Sequence, residues 1–154
     1  MTKRELGESY FAAGYNCAQS VVLAFKDELN INEETLKKIS SAFGGGMGRM
    51  REVCGAVSGM LMVLGMLKGY SDPKDVKYKG EYYALIQSLA GEFKEKNGSI
   101  ICRELLGLSE KSSAPTPEAR TPEYYKKRPC KLLVGDACEI LEEYLQNASS
   151  LSDK

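Results

Sequence analysis

The sequence predicts an all-α protein, a single-domain helical bundle of about five longer helices plus short ones. Three observations carry this. Apolar residues recur at three- and four-residue spacing along nearly all of the 154 positions. No segment sustains the alternation of a strand. The breaks between periodic runs hold Asn, Ser, Pro and Gly, the residues that start and stop helices. The length suits one domain, placed at 1–147 with a frayed tail at 148–154.

A first helix carries Leu6, Tyr10 and Ala13 on one face and is stopped by Gly14. Asn16 caps a second, whose apolar stripe is Cys17, Val21, Ala24 and Phe25. Asn32 caps a third, with Glu33 and Glu34 where carboxylates complement the helix dipole and Leu36, Ile39 and Phe43 on the inner face. Gly44-Gly45-Gly46-Met47-Gly48 interrupts the pattern. Val53 to Leu67, 15 residues without a charge, reads as the central buried helix. Gly55 and Gly59 on it admit a neighbouring backbone at close range.

Asp72-Pro73 predicts the start of the longest helix, with Pro at its first position. Its stripe is Tyr78, Tyr82, Leu85, Ile86, Leu89 and Phe93, and Asn97-Gly98 ends it. Ser99 is expected to cap a short helix through Cys102 to Leu106. Residues 108–121, rich in Ser and Pro, form a loop long enough to be a lid or disordered. The last helix runs from Pro129-Cys130 to about Asn147.

Charge and composition exclude several functions. Lys and Arg number 21 and Asp and Glu 21, so no basic face for nucleic acid is expected. With no histidine, the chain has no imidazole base, no Ser-His or Cys-His pair and no imidazole metal ligand. The longest apolar run is too short for a membrane span, which needs about 18 residues or more. A charged N-terminus with no apolar segment behind it predicts a cytoplasmic protein, where thiols stay reduced.

Five cysteines then carry the chemistry. Cys17, Cys54, Cys102 and Cys130 all fall near predicted helix starts, where free N–H groups and the dipole favour a thiolate, the form that binds metals and does redox chemistry. Cys138, in mid-helix beside Ala137 and Ile140, reads as core. The four are 37, 48 and 28 residues apart with no C-x-x-C, unlike zinc ribbons, thioredoxins or clustered ferredoxins. Only a fold can bring them together. Metal ligation, metal-free thiol–disulfide exchange and a structural or storage zinc module are the open readings.

Gly14-Tyr15-Asn16-Cys17-Ala18-Gln19-Ser20-Val21, Phe43-Gly44-Gly45-Gly46 and Cys54-Gly55-Ala56-Val57-Ser58-Gly59 resemble the C_GCAxxG_C_C family. Cys54 to Gly59 matches its Cys-Gly-Ala-x-x-Gly motif without departure. Cys17 stands for the upstream cysteine, and Cys102 and Cys130 for the two downstream ones. The resemblance runs from about Gly7 to Leu145. It implies redox activity through the four cysteines as ligands of an iron–sulfur cluster, with Gly55 and Gly59 close around the cofactor and electrons exchanged with a redox partner protein. It fixes no reaction, no catalytic residue and no oligomeric state, a homodimer included.

The glycine loop lacks the Lys-Ser/Thr of a phosphate-binding loop and a preceding strand. It is expected either to bring backbone N–H groups up to sulfur ligands or to serve as a linker. Arg49 and Arg51 beside Cys54 are expected to face water more readily than the site. Met47, Met50, Met60, Met62 and Met66 read as adaptable core.

Overall fold

Helix starts are set by side-chain caps that the sequence supplies. In the computed structural model, which describes residues 1–152 and side chains as far as residue 148, Thr2 caps α1 (Lys3–Ala12) in a reciprocal box with Glu5. Asn16 does the same for α2 (Cys17–Ala24): its Oδ1 accepts from Gln19 N–H at 2.8 Å, and Gln19 Oε1 accepts from Asn16 N–H at 3.1 Å. Asn32 caps α3 (Glu33–Ser40) through Thr35 N–H. The glycine segment closes one irregular turn, α4 (Gly44–Met47), with non-helical backbone at Gly45 and Gly46; the apolar run forms α5 (Gly55–Lys68), and the longest helix before the last is α6 (Val76–Asn97). Then come α7 (Cys102–Leu105), α8 (Pro122–Lys127) and α9 (Cys130–Ser152). Among the described residues there are no strands, only an isolated antiparallel bridge between Val53 and Ile101.

α2 lies at the centre, against α1, α3, α5 and α9, and almost all of its residues are buried. Phe11, Val21, Phe25, Leu36, Met60, Leu64, Phe93 and Leu141 are among the fully buried side chains. Two close approaches depend on glycine. A Cβ on Gly59 would stand 2.7 Å from the Ala18 carbonyl oxygen, so α5 and α2 touch backbone to backbone there. A Cβ on Gly7 would meet Cys138 Sγ at 2.6 Å, which brings α1 onto α9. Arg4 of α1 completes that seam, bonding Asp136 and, at 2.9 Å, Glu139.

The helical bundle follows the sequence, with shifts that have local causes. α6 begins at Val76, not at Asp72-Pro73, because the Asp72 carboxylate accepts from Lys74 N–H in a tight turn and Asp75 supplies the cap, to Tyr78 N–H. Of its expected stripe only Leu89 and Phe93 are buried, since the N-terminal half of α6 has little to pack on. In α1 the inner face is Gly7 and Phe11, and Ala13 is exposed. Ile39, expected inside, is half exposed, because α3 meets the bundle along Leu36 and Ser40. Met60 is core, while Met47 and Met50 stand in solvent on the glycine turn. α9 continues past Asn147 to Ser152, and the remainder of the expected tail, 153–154, lies outside the described residues.

Candidate functional site

The cap on α2 places the first cysteine. Cys17 is the first residue of that helix, and Asn16 also donates from Nδ2 to the Ser41 carbonyl at 3.0 Å, tying the helix start to the segment leading into the glycine turn. Cys54 is the residue before α5, so it caps the central helix with the amides of Ala56 and Val57 near its sulfur. Cys102 opens α7 and Cys130 opens α9. All four stand at helix starts. Ser99 does not cap α7 as expected: its hydroxyl accepts from Ile101 N–H and donates to Glu104, and Ile101 takes the cap position.

Long-range backbone bonds bring the starts together. Residues 51–54 run antiparallel to 100–103, with Cys54 N–H to Ile100 C=O at 2.7 Å and Cys102 N–H to Glu52 C=O at 2.6 Å. This short ribbon sets Cys54 and Cys102 side by side although 48 residues separate them. Gly55 lets Cys17 in, since a Cβ there would stand 3.0 Å from Cys17 Cβ and 2.8 Å from the Phe43 carbonyl oxygen.

The result is one cavity of about 260 Å3 lined by Cys17, Cys54, Cys102 and Cys130. Gly55 borders it. Gly59, one turn further along α5, is absent from the lining and serves the seam with α2. Cys138 lies apart, fully buried between α1 and α9. Among the described residues no three Cys, Asp or Glu side chains are placed to hold a single metal ion.

The glycine turn forms a wall of this cavity. Gly45, Gly46, Met47, Gly48 and Arg49 all have φ between 62° and 69°, a left-handed turn, and Arg51 has φ 59°. Non-glycine residues pay of order 1–3 kcal/mol for such a conformation, which persists only where the surroundings impose it. Gly46 is irreplaceable on space as well: a Cβ would lie 2.7 Å from Cys102 Cβ and from Glu52 N. The turn thus lies against the side chain of Cys102.

The 108–121 loop is a cover, pinned by arginines. Ser113 N–H donates to the Arg49 carbonyl at 2.9 Å, Arg49 Nε to the Ala114 carbonyl at 2.7 Å, and Arg51 Nε to Ser113 Oγ at 2.9 Å. Arg120 bonds the carbonyls of Phe11 and Tyr15 at 3.0 Å each and stacks 4.3 Å over the Phe11 ring. Arg128 pairs with Glu118. Arg51 does not face water as expected. It is 5% exposed, and its Nη1 donates to Cys102 Sγ at 3.6 Å. No local pattern announces this, because Ser113 and Cys102 are 62 and 51 residues away. α8, with Tyr124 on the cavity wall, has its sequence signal in Thr121-Pro122, a cap followed by a first-position proline.

Burial decides the protonation of most of the thiols. It pushes Cys54 up to about 12, against the amides of Ala56 and Val57. It also raises Cys102, against the pull of Arg51. Cys17 is held well above the ordinary thiol range by the hydrogen bond it gives Cys130, and by burial. Cys130 goes the other way: accepting from Cys17, and facing Arg128, Arg120 and Arg51, it is lowered. The thiolate expected at all four helix starts is thus favoured at one. Desolvation is the larger influence at Cys54 and Cys102, and at Cys17 it adds to the bond given to Cys130.

Cys138 is also pushed up to about 12, by burial alone in the main. A group raised on folding contributes stability in full below its unfolded value near 8.5, and loses it as pH rises towards the folded value. Between pH 7.5 and pH 10, Cys54 and Cys138 should therefore each cost about 2 kcal/mol of stability. Urea unfolding of reduced, metal-free protein at the two pH values measures the fall, and Cys138→Ala should lessen it by about 2 kcal/mol.

Known proteins resemble this chain. A protein of Archaeoglobus fulgidus described as uncharacterized is 27% identical over 146 residues, covering 90% of this chain and 86% of its own. No solved structure matches the chain. The model of the family described as "Putative redox-active protein (C_GCAxxG_C_C)" matches residues 15–144, a span that contains all four cavity cysteines. The Cys-Gly-Ala-x-x-Gly motif is thus the cap and first turn of α5, and the chain belongs to the C_GCAxxG_C_C family.

Proposed function

We propose that this is a cytoplasmic electron-transfer protein in which Cys17, Cys54, Cys102 and Cys130 hold an iron–sulfur cluster. The observation that carries the reading is the meeting of four thiols, from four separate helix starts, on the wall of one cavity. The donor set is sulfur throughout, in a chain without histidine. When bound, such a cluster supplies one-electron transfer at a potential set by nearby charge and hydrogen bonds.

The chain's own residues do the rest. Arg51 donates to the Cys102 sulfur, the α5 amides face Cys54, and the pinned 108–121 loop limits the entry of water. No helix among the described residues is long and apolar enough to cross a membrane, in keeping with exchange between proteins in solution. Anaerobic reconstitution with ferrous iron and sulfide should give brown protein with bound iron and sulfide. Serine at any of the four positions should cut the iron content severely, and Cys138→Ala should leave it unchanged. Colourless, iron-free protein after reconstitution overturns the reading.

A second reading rests on the Cys17–Cys130 hydrogen bond. Without metal, the pair can pass two electrons and two protons to an oxidised small disulfide, which leaves as two thiols while Cys17 and Cys130 join. Mass spectrometry after mild oxidation would show a peptide linking Cys17 to Cys130, lighter by two hydrogens.

A further inference from the structure

The cavity carries a charge that the protein itself does not balance. Arg49, Arg51, Arg120 and Arg128 line it against a single carboxylate, Glu118, which Arg128 already pairs. Arg120 spends its guanidinium on the Phe11 and Tyr15 carbonyls. Arg51 is different. It is more than nine-tenths buried, no carboxylate among the described residues pairs with it, and its Nε and Nη1 bond a hydroxyl and a thiol. No hydrogen bond from its Nη2 to another described residue is found, and that nitrogen is not fully sealed from solvent. The only anion it faces among the described residues is the Cys130 thiolate, shared with Arg120 and Arg128; a buried charge so weakly paired is costly, and Arg51 bears backbone strain at φ 59° in addition. The fold holds this guanidinium in place against both penalties.

We propose that the cavity binds a compact inorganic oxyanion of the sulfate class at Arg51, beside Cys102. A guanidinium presents paired N–H donors that match an oxyanion edge, and about 260 Å3 leaves room for one next to the sulfurs. The inference rests on the cavity and not on the cluster. A four-thiolate cluster is itself anionic and would be served by the same charge, so sulfate on metal-free protein reads the site without iron.

Sodium sulfate titrated calorimetrically into reduced, metal-free protein at low ionic strength should show one saturable site. Arg51→Gln should weaken it at least tenfold, and Arg51→Lys, which keeps the charge but loses the fork, at least threefold. Should the Gln variant lose helical circular dichroism, the Lys variant decides alone. No saturable heat with the native chain overturns the proposal, as does an affinity unchanged in Arg51→Lys. Iron content after reconstitution is read separately, so failure of the cluster and failure of the anion site are distinct results.

Discussion

Gly46→Ala should destabilise the protein by about 2–5 kcal/mol, whereas Gly98→Ala should cost only about 1 kcal/mol. Both glycines have positive φ, 69° and 89°, so a methyl group strains the backbone at either. Their surroundings differ. Gly98 ends α6 with nothing within 4 Å of where the Cβ would stand. At Gly46 the methyl would meet Cys102 Cβ, Glu52 N and Arg51 Cα at 2.7–2.8 Å, and two of those atoms are backbone. The hydrogen bond from Glu52 N–H to the Gly46 carbonyl, 3.0 Å, would have to give, and with it the ribbon that aligns Cys102 with Cys54. Urea midpoints at constant slope measure both costs. Equal costs in the two variants would show that the turn is a plain linker.

At neutral pH, iodoacetamide should modify Cys130 at least about tenfold faster than Cys54 or Cys138 in reduced, metal-free protein, the gain in thiolate being partly offset by the lower nucleophilicity of a low-pKa thiolate. The thiolate is the reactive form. A free thiol is a few per cent ionised at pH 7, and Cys130 lies below that ordinary range because Cys17 donates to it and three arginines face it. Cys54 and Cys138, pushed up to about 12, carry roughly one part in 100,000. Peptide mapping by mass spectrometry over time gives the five rates. Cys17→Ala removes the donated hydrogen bond and should slow the reaction at Cys130. If Cys54 reacted first, burial would not be what governs these thiols.

The glycine turn shows how far local pattern reaches. Four glycines in five residues announce a break in helix, and the break is there. The pattern does not announce a left-handed turn that carries Met47 and Arg49 with it, because that conformation is imposed by bonds to residues 113 and 114. The 108–121 loop is the same case from the other side. Its Ser/Pro composition excluded a helix, and its role as a cover depends on arginines some 60 residues away.

What the sequence determined by itself is what depends on neighbours along the chain. Periodicity and caps such as Asn16 and Asn32 placed the helices, and that placement put Cys17, Cys54, Cys102 and Cys130 at helix starts and left Cys138 to the core. The absence of histidine confined any protein metal site mainly to sulfur. The tertiary structure decided what depends on distance through space. The Val53–Ile101 bridge and the glycine contacts at Gly46 and Gly55 gathered four starts around one cavity. Burial then reversed the thiolate preference at Cys54 and Cys102, joined the bond to Cys130 in doing so at Cys17, and turned Arg51 from a surface charge into the cavity's buried cation. A helix dipole acts within one turn and can be read in sequence. Desolvation is the sum of everything packed around a group, and only the folded chain supplies it.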